Sequence, residues 1–229
     1  MEWEVIYKWL PKFIQGATLT LELVGIAVIL GLLLAIPLGI TRSSKLWYVR
    51  ALPYAYIFFF RGTPLLVQLF LVYYGLAQFD AVRESFMWPY LRDPFWCATA
   101  TMTLHTAAYI AEILRGAIQA IPPGEIEAAR ALGMSKPKAL FYIILPRAAR
   151  IGLPAYSNEV ILMLKASSLA STVTLLELTG MARTIIARNY LTVDMFFTAG
   201  VFYLLMSFML VQAFRQLERW LRVDACQGR

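Results

Sequence analysis

Few side chains in this chain could do chemistry, and most of them sit in apolar surroundings. Glu159 and Asn158 interrupt the stretch YSNEVILML, about two helical turns after Arg150, with no Lys or Arg three or four positions away. A carboxylate in such a place must be protonated, paired across helices, or waiting for a cation. A ligand bearing an ammonium or guanidinium would supply the missing charge, with Asn158, Tyr156 or Ser157 as hydrogen-bonding neighbours and Glu22 as a weaker candidate facing the same cavity. An ion pair with an Arg or Lys of this chain or of another chain is the competing reading. Glu112 and Arg115 lie three apart on one helical face and can neutralise each other, which makes them a structural pair. Lys165 stands with Ser167, Ser168, Ser171 and Thr172 at a polar helix end, where small hydroxyl residues favour close packing. His105 is the only histidine, expected to be a satisfied polar core residue rather than a proton relay.

These groups exclude several kinds of chemistry. One histidine, two cysteines (Cys97 and Cys226) and no cluster of ligating side chains leave nothing for acid–base or metal catalysis, so no metal site and no cofactor are expected. The chain has no G-x-x-x-x-G-K-[ST] loop to cradle the phosphates of ATP.

The elements that hold these residues are set by composition. Of 229 residues, 60% are hydrophobic and 15% charged, against about half and about a quarter in soluble domains. The chain therefore belongs in a bilayer, where a spanning helix needs about 20 apolar residues. Five stretches qualify, at 18–40, 63–79, 94–120, 151–176 and 195–217, so the predicted fold is all-α and polytopic, one transmembrane domain over residues 1–229. Two readings compete for 50–64: one long span broken at Gly62 and Pro64, or an interfacial segment over 50–60 with the true span starting at Thr63. The second is favoured, because a mid-bilayer Arg61 would be expensive whereas an interfacial one can snorkel to the phosphates.

Orientation follows from the basic residues. One side of the five-span topology collects thirteen of them: Arg42, Lys45, Arg50 and Arg61, the five between Arg130 and Arg150, and the tail from Arg215 to Arg229. The other side collects six: Lys8, Lys12, Arg83, Arg92, Arg183 and Arg188. The richer side is cytoplasmic by the positive-inside rule, which puts the N-terminus outside and the C-terminus inside. The net charge of +7 then reflects topology and contact with anionic lipid, not nucleic-acid binding. Cys97 and Cys226 fall on different sides, so no disulfide is expected. The N-terminal MEWEVIYKWLPKFIQGATLT lacks the pattern of a removable signal peptide and reads as an amphipathic lead-in with Trp3, Tyr7 and Trp9 at headgroup level.

The most specific pattern lies between the third and fourth spans. Residues 127–146 read EAARALGMSKPKALFYIILP, with the spacing E-A-A, three residues, G, nine residues, I-x-L-P. Pro122, Pro123 and Gly124 end the preceding span, Glu125 and Glu127 fit the first turn of a short helix, and Gly133 fits an αL stop after a narrow shaft of Ala128, Ala129 and Ala131. Ser135 and Pro137 can start a second helix, which Pro146 is expected to close. The result is a compact knob at about 122–147, with Glu127 and Arg130 placed for charge-assisted hydrogen bonds.

With this spacing the chain resembles the permease subunits of bacterial ABC-type importers. The segments FFRGTP (59–64), AEILRGAI (111–118), IPPGEIEAA (121–129) and LPAYSNEVILMLKASSL (153–169) look like the branch for polar and basic amino acids, of the histidine/lysine/arginine/ornithine type. The resemblance implies an inner-membrane import subunit that carries no ATPase of its own. A partner ATPase dimer, binding ATP and Mg, would dock through Glu127, Ala128, Ala129, Arg130, Gly133, Ile143, Leu145 and Pro146. It also implies a second, related permease to complete the path and a periplasmic binding protein seated on the loops at 80–93 and 177–194. Permeases for glutamine or for opine-like derivatives are the nearest alternative. A secondary transporter would call for inverted repeats or broken helix pairs, which the sequence does not display.

Overall fold

A computed structural model describes residues 2–44 and 46–221; Lys45, Arg222, Cys226 and Arg229 lie outside the described residues. All regular elements among the described residues are helical. Helix α1 (Trp3–Arg42) runs 40 residues, about 60 Å, well beyond the roughly 30 Å of a bilayer core. Helix α2 (Trp47–Gly62) follows, and the chain then turns by 103° into α3 (Leu65–Phe70), which continues through a π turn and a short 3₁₀ turn to Gln78. The bend falls at the Gly62–Pro64 break that both readings of 50–64 place there. Pro64 cannot donate a backbone hydrogen bond, and Thr63 before it is extended, as a residue preceding proline should be.

Two short helices, α4 (Asp80–Arg83) and α5 (Trp88–Leu91), occupy the next loop, and Asp93 then caps α6 (Pro94–Gln119) by accepting from the amides of Phe95 and Trp96. Helix α7 (Pro123–Ala131) and the one-turn α8 (Lys136–Ala139) form the knob, and α9 (Leu145–Ala166) passes into a 3₁₀ helix ending at Val173. Helix α10 (Leu178–Asn189) is bent 48° from that rod, and α11 (Thr192–Trp220) closes the described chain.

Two helices, α1 and α11, are long and apolar enough to cross a membrane alone, and up to four spans result if each bent pair counts as one. Helix α6, expected as the third span, has 26 residues, about 39 Å, but carries Thr99, Thr101, Thr103, His105, Thr106, Glu112 and Arg115. Its polarity matches its place at the centre of the bundle. Ala27, Gly31, Ala35 and Gly39 recur every four residues along α1, all buried, and form a small-residue stripe against α6. A Cβ on Gly31 would stand 2.3 Å from the Thr106 methyl, and one on Gly39 would stand 3.0 Å from the Ala111 carbonyl oxygen. Backbones approach this closely only because the side chains between them are absent. Thr99 and Thr101 return their hydroxyls to the carbonyls four residues back, at 2.7 and 2.9 Å, so a Thr-rich helix leaves few free polar atoms in the core.

The sequence-based expectation of a loop over 177–194 is corrected. Most of it is α10, whose Leu178, Ala182 and Ile185 are buried, and Gly16 of α1 admits Leu178 at a distance where a Cβ would lie 3.0 Å from its Cα. Glu177, fully buried, caps α10 by accepting from the amides of Thr179 and Gly180 at 2.9 Å each, and Tyr203 of α11 donates to it at 2.9 Å. The hydroxyls of Ser167, Ser168, Ser171 and Thr172 bond the carbonyls three residues back, which suits a 3₁₀ turn and leaves them little part in bonding between helices.

Candidate functional site

The knob is built from the chain turn by turn. Pro122 precedes the helix and Pro123 opens it, where a missing amide hydrogen has no cost. At its end Gly133 takes φ +76°, its N–H donates to Arg130 at 2.9 Å, and Met134 N–H donates to Ala129 at 3.1 Å. These two bonds are the Schellman pair that satisfies the last carbonyls of a helix. Only Glu125 of the two glutamates lies in the first turn, and it pairs with Arg147 at 3.2 Å, tying α7 to the start of α9; Glu127, two residues on, lies past the first turn and is exposed. Ala129 is buried against the body, while Ala128 and Arg130 face outward. Ile126 and Ile144 pack on Ala117, Ile121 and Ala148, so an apolar cluster fixes the knob to the ends of α6 and α9.

One expectation for this unit is overturned. Pro146 does not close the second helix: α8 passes through a π turn at Leu140–Ile144 straight into α9, with Pro146 in the first turn of α9. The widened turn relieves the clash of a proline ring with the carbonyl four residues back. The knob is therefore the end of one rod that runs from Lys136 to Val173 and carries Glu159 along its length. Three large apolar residues on the knob, which the spacing motif does not single out, face outward: Leu132 at 82% exposure, Phe141 at 62% and Tyr142 at 76%. Leu132 stands beside the αL glycine, and an apolar residue at a helix stop was the signal available.

The intramembrane candidates do not all converge. Glu159 is buried at 7% exposure, with Thr106 of α6 donating to its Oε1 at 3.3 Å, a partner that sequence spacing could not reveal. No Lys or Arg among the described residues forms an ion pair with it. Asn158 is exposed on another face of α9, Ser157 donates to Pro154 O at 2.8 Å and lies 3.5 Å from Glu218, and Tyr156 packs edge-on to Phe214 while lining an otherwise apolar groove of about 350 Å³. Glu22 is exposed on α1. Glu112 and Arg115 form the expected pair at 2.5 Å, extended to Gln119. His105 is likewise satisfied as expected: its Nδ1 lies 2.9 Å from Gln68 Oε1, and the Gln68 amide nitrogen reaches Phe60 O at 2.9 Å and the Thr63 hydroxyl at 2.7 Å. Gln68, at 3% exposure, thus pins the 103° break to the central helix.

A bundle around a polar central helix, with two bent helix pairs that the sequence did not display and a knob at the root of one long rod, is the frame of a membrane transport subunit. Residues 27–223 match the family model described as the inner membrane component of binding-protein-dependent transport systems, and the chain belongs to that family. It is 50% identical over 213 residues to the octopine transport system permease protein of Rhizobium radiobacter, covering 93% of this chain and 87% of that one. It is 44% identical over 209 residues to the histidine/lysine/arginine/ornithine transport system permease protein of Escherichia coli (strain K12), covering 90% and 88%. Among solved structures, an amino acid ABC transporter crystallised with histidines aligns at a TM-score of 0.85 and 33% identity, over 96% of this chain and 98% of that one. The chain is a permease of the bacterial inner membrane, in accord with the expected all-α membrane fold.

Proposed function

We propose that this permease passes cationic amino acids, or cationic derivatives of them, through a path completed by a second, related permease. In this reading a periplasmic binding protein delivers the cargo to the outer end, and an ATPase dimer grips the 122–147 knob from the cytoplasm. ATP and Mg bind the ATPase, and residues 1–229 act as one transmembrane domain with the N-terminus outside. Closure of the ATPase dimer would carry each knob as a rigid body, and the rod from Lys136 to Val173 would tilt with it, moving Glu159 relative to α6. Docking is assigned to Glu127, Ala128, Ala129, Arg130, Gly133, Ile143, Leu145 and Pro146, with Leu132 and Tyr142 added for their exposure.

The observation that carries the cargo assignment is the Glu159 carboxylate, buried with one long hydroxyl contact and no ion-pair partner among the described residues. A ligand ammonium or guanidinium is the natural counter-ion for such a group, and Asn158, Tyr156, Ser157 and Glu22, which do not all converge on it, are lesser candidates. Histidine, lysine, arginine and ornithine fit, and so does an opine built on arginine; the likeness to an octopine permease favours this second reading. The test is Glu159→Gln in the assembled transporter, with uptake of arginine, octopine, histidine and glutamine measured beside ATP hydrolysis. Selective loss of the cationic substrates with hydrolysis retained supports the assignment, whereas unchanged uptake of all four removes it.

A further inference from the structure

At the foot of α1, α2 and α6 lies a second site, outside the knob. Arg42 and Arg61 line a pocket of about 330 Å³ together with Tyr54, Tyr109 and Glu112. The Arg42 guanidinium lies over the Tyr54 ring at 4.9 Å, and that of Arg61 over Tyr109 at 5.2 Å. Stacking on a ring orients each guanidinium and leaves its N–H edge free for a planar anion. Neither arginine forms an ion pair or hydrogen bond among the described residues, and Arg42 Nε is buried without a partner. The one acid in the pocket, Glu112, already gives Oε1 to both Nε and Nη2 of Arg115, at 2.8 and 2.5 Å. Three arginines therefore bear on the one carboxylate of the pocket, which cannot balance them alone. Glu112 Oε2 is also buried without a partner, so the pocket lacks an anion and a hydrogen donor at once.

The surroundings say where such a group comes from. Helix α2 turns Trp47, Tyr48, Leu52, Phe58 and Phe59 outward, and it sits across the line of the next helix after the 103° bend. A helix with Trp, Tyr and Phe on one face and arginines beneath is suited to lie in the headgroup layer, with lipid chains against its aromatic face. We propose that Arg42, Arg61 and Glu112 form a binding site for one glycerophospholipid headgroup. The phosphate lies between the two guanidiniums, and a headgroup hydroxyl donates to Glu112 Oε2, the chemistry of phosphatidylglycerol. Phosphatidylcholine offers the phosphate and no donor. The pocket volume is within the range of small-ligand sites, about 300–1,000 Å³.

The experiment is native mass spectrometry of the intact transporter in detergent, titrated with phosphatidylglycerol, phosphatidylcholine or inorganic phosphate. Tight retention of one phosphatidylglycerol per copy of this chain is expected, weakened about five-fold by R42Q or R61Q and about 25-fold by the double variant. R50Q, which changes an exposed arginine of α2 outside the pocket, is expected to bind as the unaltered protein does. Should the double variant fail to assemble, R61K serves, since it keeps the charge and loses the flat stacked edge; weaker retention supports the site. Equal retention of phosphatidylcholine, release of the lipid by millimolar phosphate, or its displacement by arginine or octopine would each overturn the proposal. The lipid readout does not depend on which cargo is carried.

Discussion

The knob transmits force only if its hinge holds one shape, and Gly133 is where that can be tested. At φ +76° the residue lies in the left-handed region, and a Cβ added there meets nothing within 4 Å. Substitution therefore costs backbone strain and no collision. That strain is about 1–2 kcal/mol for an L-residue with Cβ, at the upper end for β-branched valine and less for asparagine. Such a cost depopulates the turn about 5- to 30-fold and loosens both hydrogen bonds that end α7. In proteoliposomes holding the assembled transporter, Gly133→Val is expected to lower the substrate moved per ATP while hydrolysis continues, with Gly133→Asn between it and the unaltered protein. Gly116→Ala is the control, because Gly116 lies inside α6 with open space around its Cα and alanine favours a helix. If Gly133→Val keeps the full transport stoichiometry, or loses no more than Gly116→Ala, the knob is not a shape-dependent coupling element.

Other expectations concern the frame that positions the site. Gln68→Leu leaves the His105 ring N–H and the Phe60 carbonyl unpaired in a buried setting, at about 1–3 kcal/mol; a thermal midpoint equal to that of the unaltered complex would show that the pin contributes nothing. Gly31→Ala drives a Cβ to 2.3 Å from the Thr106 methyl and forces α1 and α6 apart, at about 1–3 kcal/mol. Gly25→Ala, which meets nothing within 4 Å, is the matched control, and equal stabilities for the two would contradict the close-packed stripe. Tyr203→Phe takes a hydrogen donor from the buried Glu177 and should loosen α10, seen as faster amide exchange over 178–189, whereas unchanged exchange there would mean the two backbone amides suffice.

Much of this was legible in the sequence, and the rest was hidden for physical reasons. The E-A-A and glycine spacing located the knob because helix stops and αL glycines are local properties, written in a few consecutive residues. The satisfied state of His105 and the Glu112–Arg115 pair were also accessible, one from its apolar setting and the other from a three-residue spacing. Continuity through Pro146 was not, because a proline reads as a stop unless the preceding turn is known to widen into a π turn. Helix α10 was read as a loop since its buried face depends on Gly16 and Thr20 of α1, nearly 160 residues away; Thr20 Oγ1 accepts from Leu178 N–H at 3.1 Å. A separation of 53 residues likewise hid Thr106 as the partner of Glu159. The recurrence of small residues along α1 was visible but carried no meaning until α6 was known to lie against it.

The most direct test of the account is to ask what touches the knob. In a C97S/C226S background, single cysteines at Leu132 and Tyr142, both exposed on the knob, and at Phe86 and Tyr190, both exposed and remote from it in sequence, would be treated with a short cross-linker in native membranes. The account predicts that Leu132→Cys and Tyr142→Cys are captured by a nucleotide-hydrolysing chain and that Phe86→Cys and Tyr190→Cys are not. Capture of that chain at Phe86 or Tyr190, with none at Leu132 or Tyr142, would contradict it.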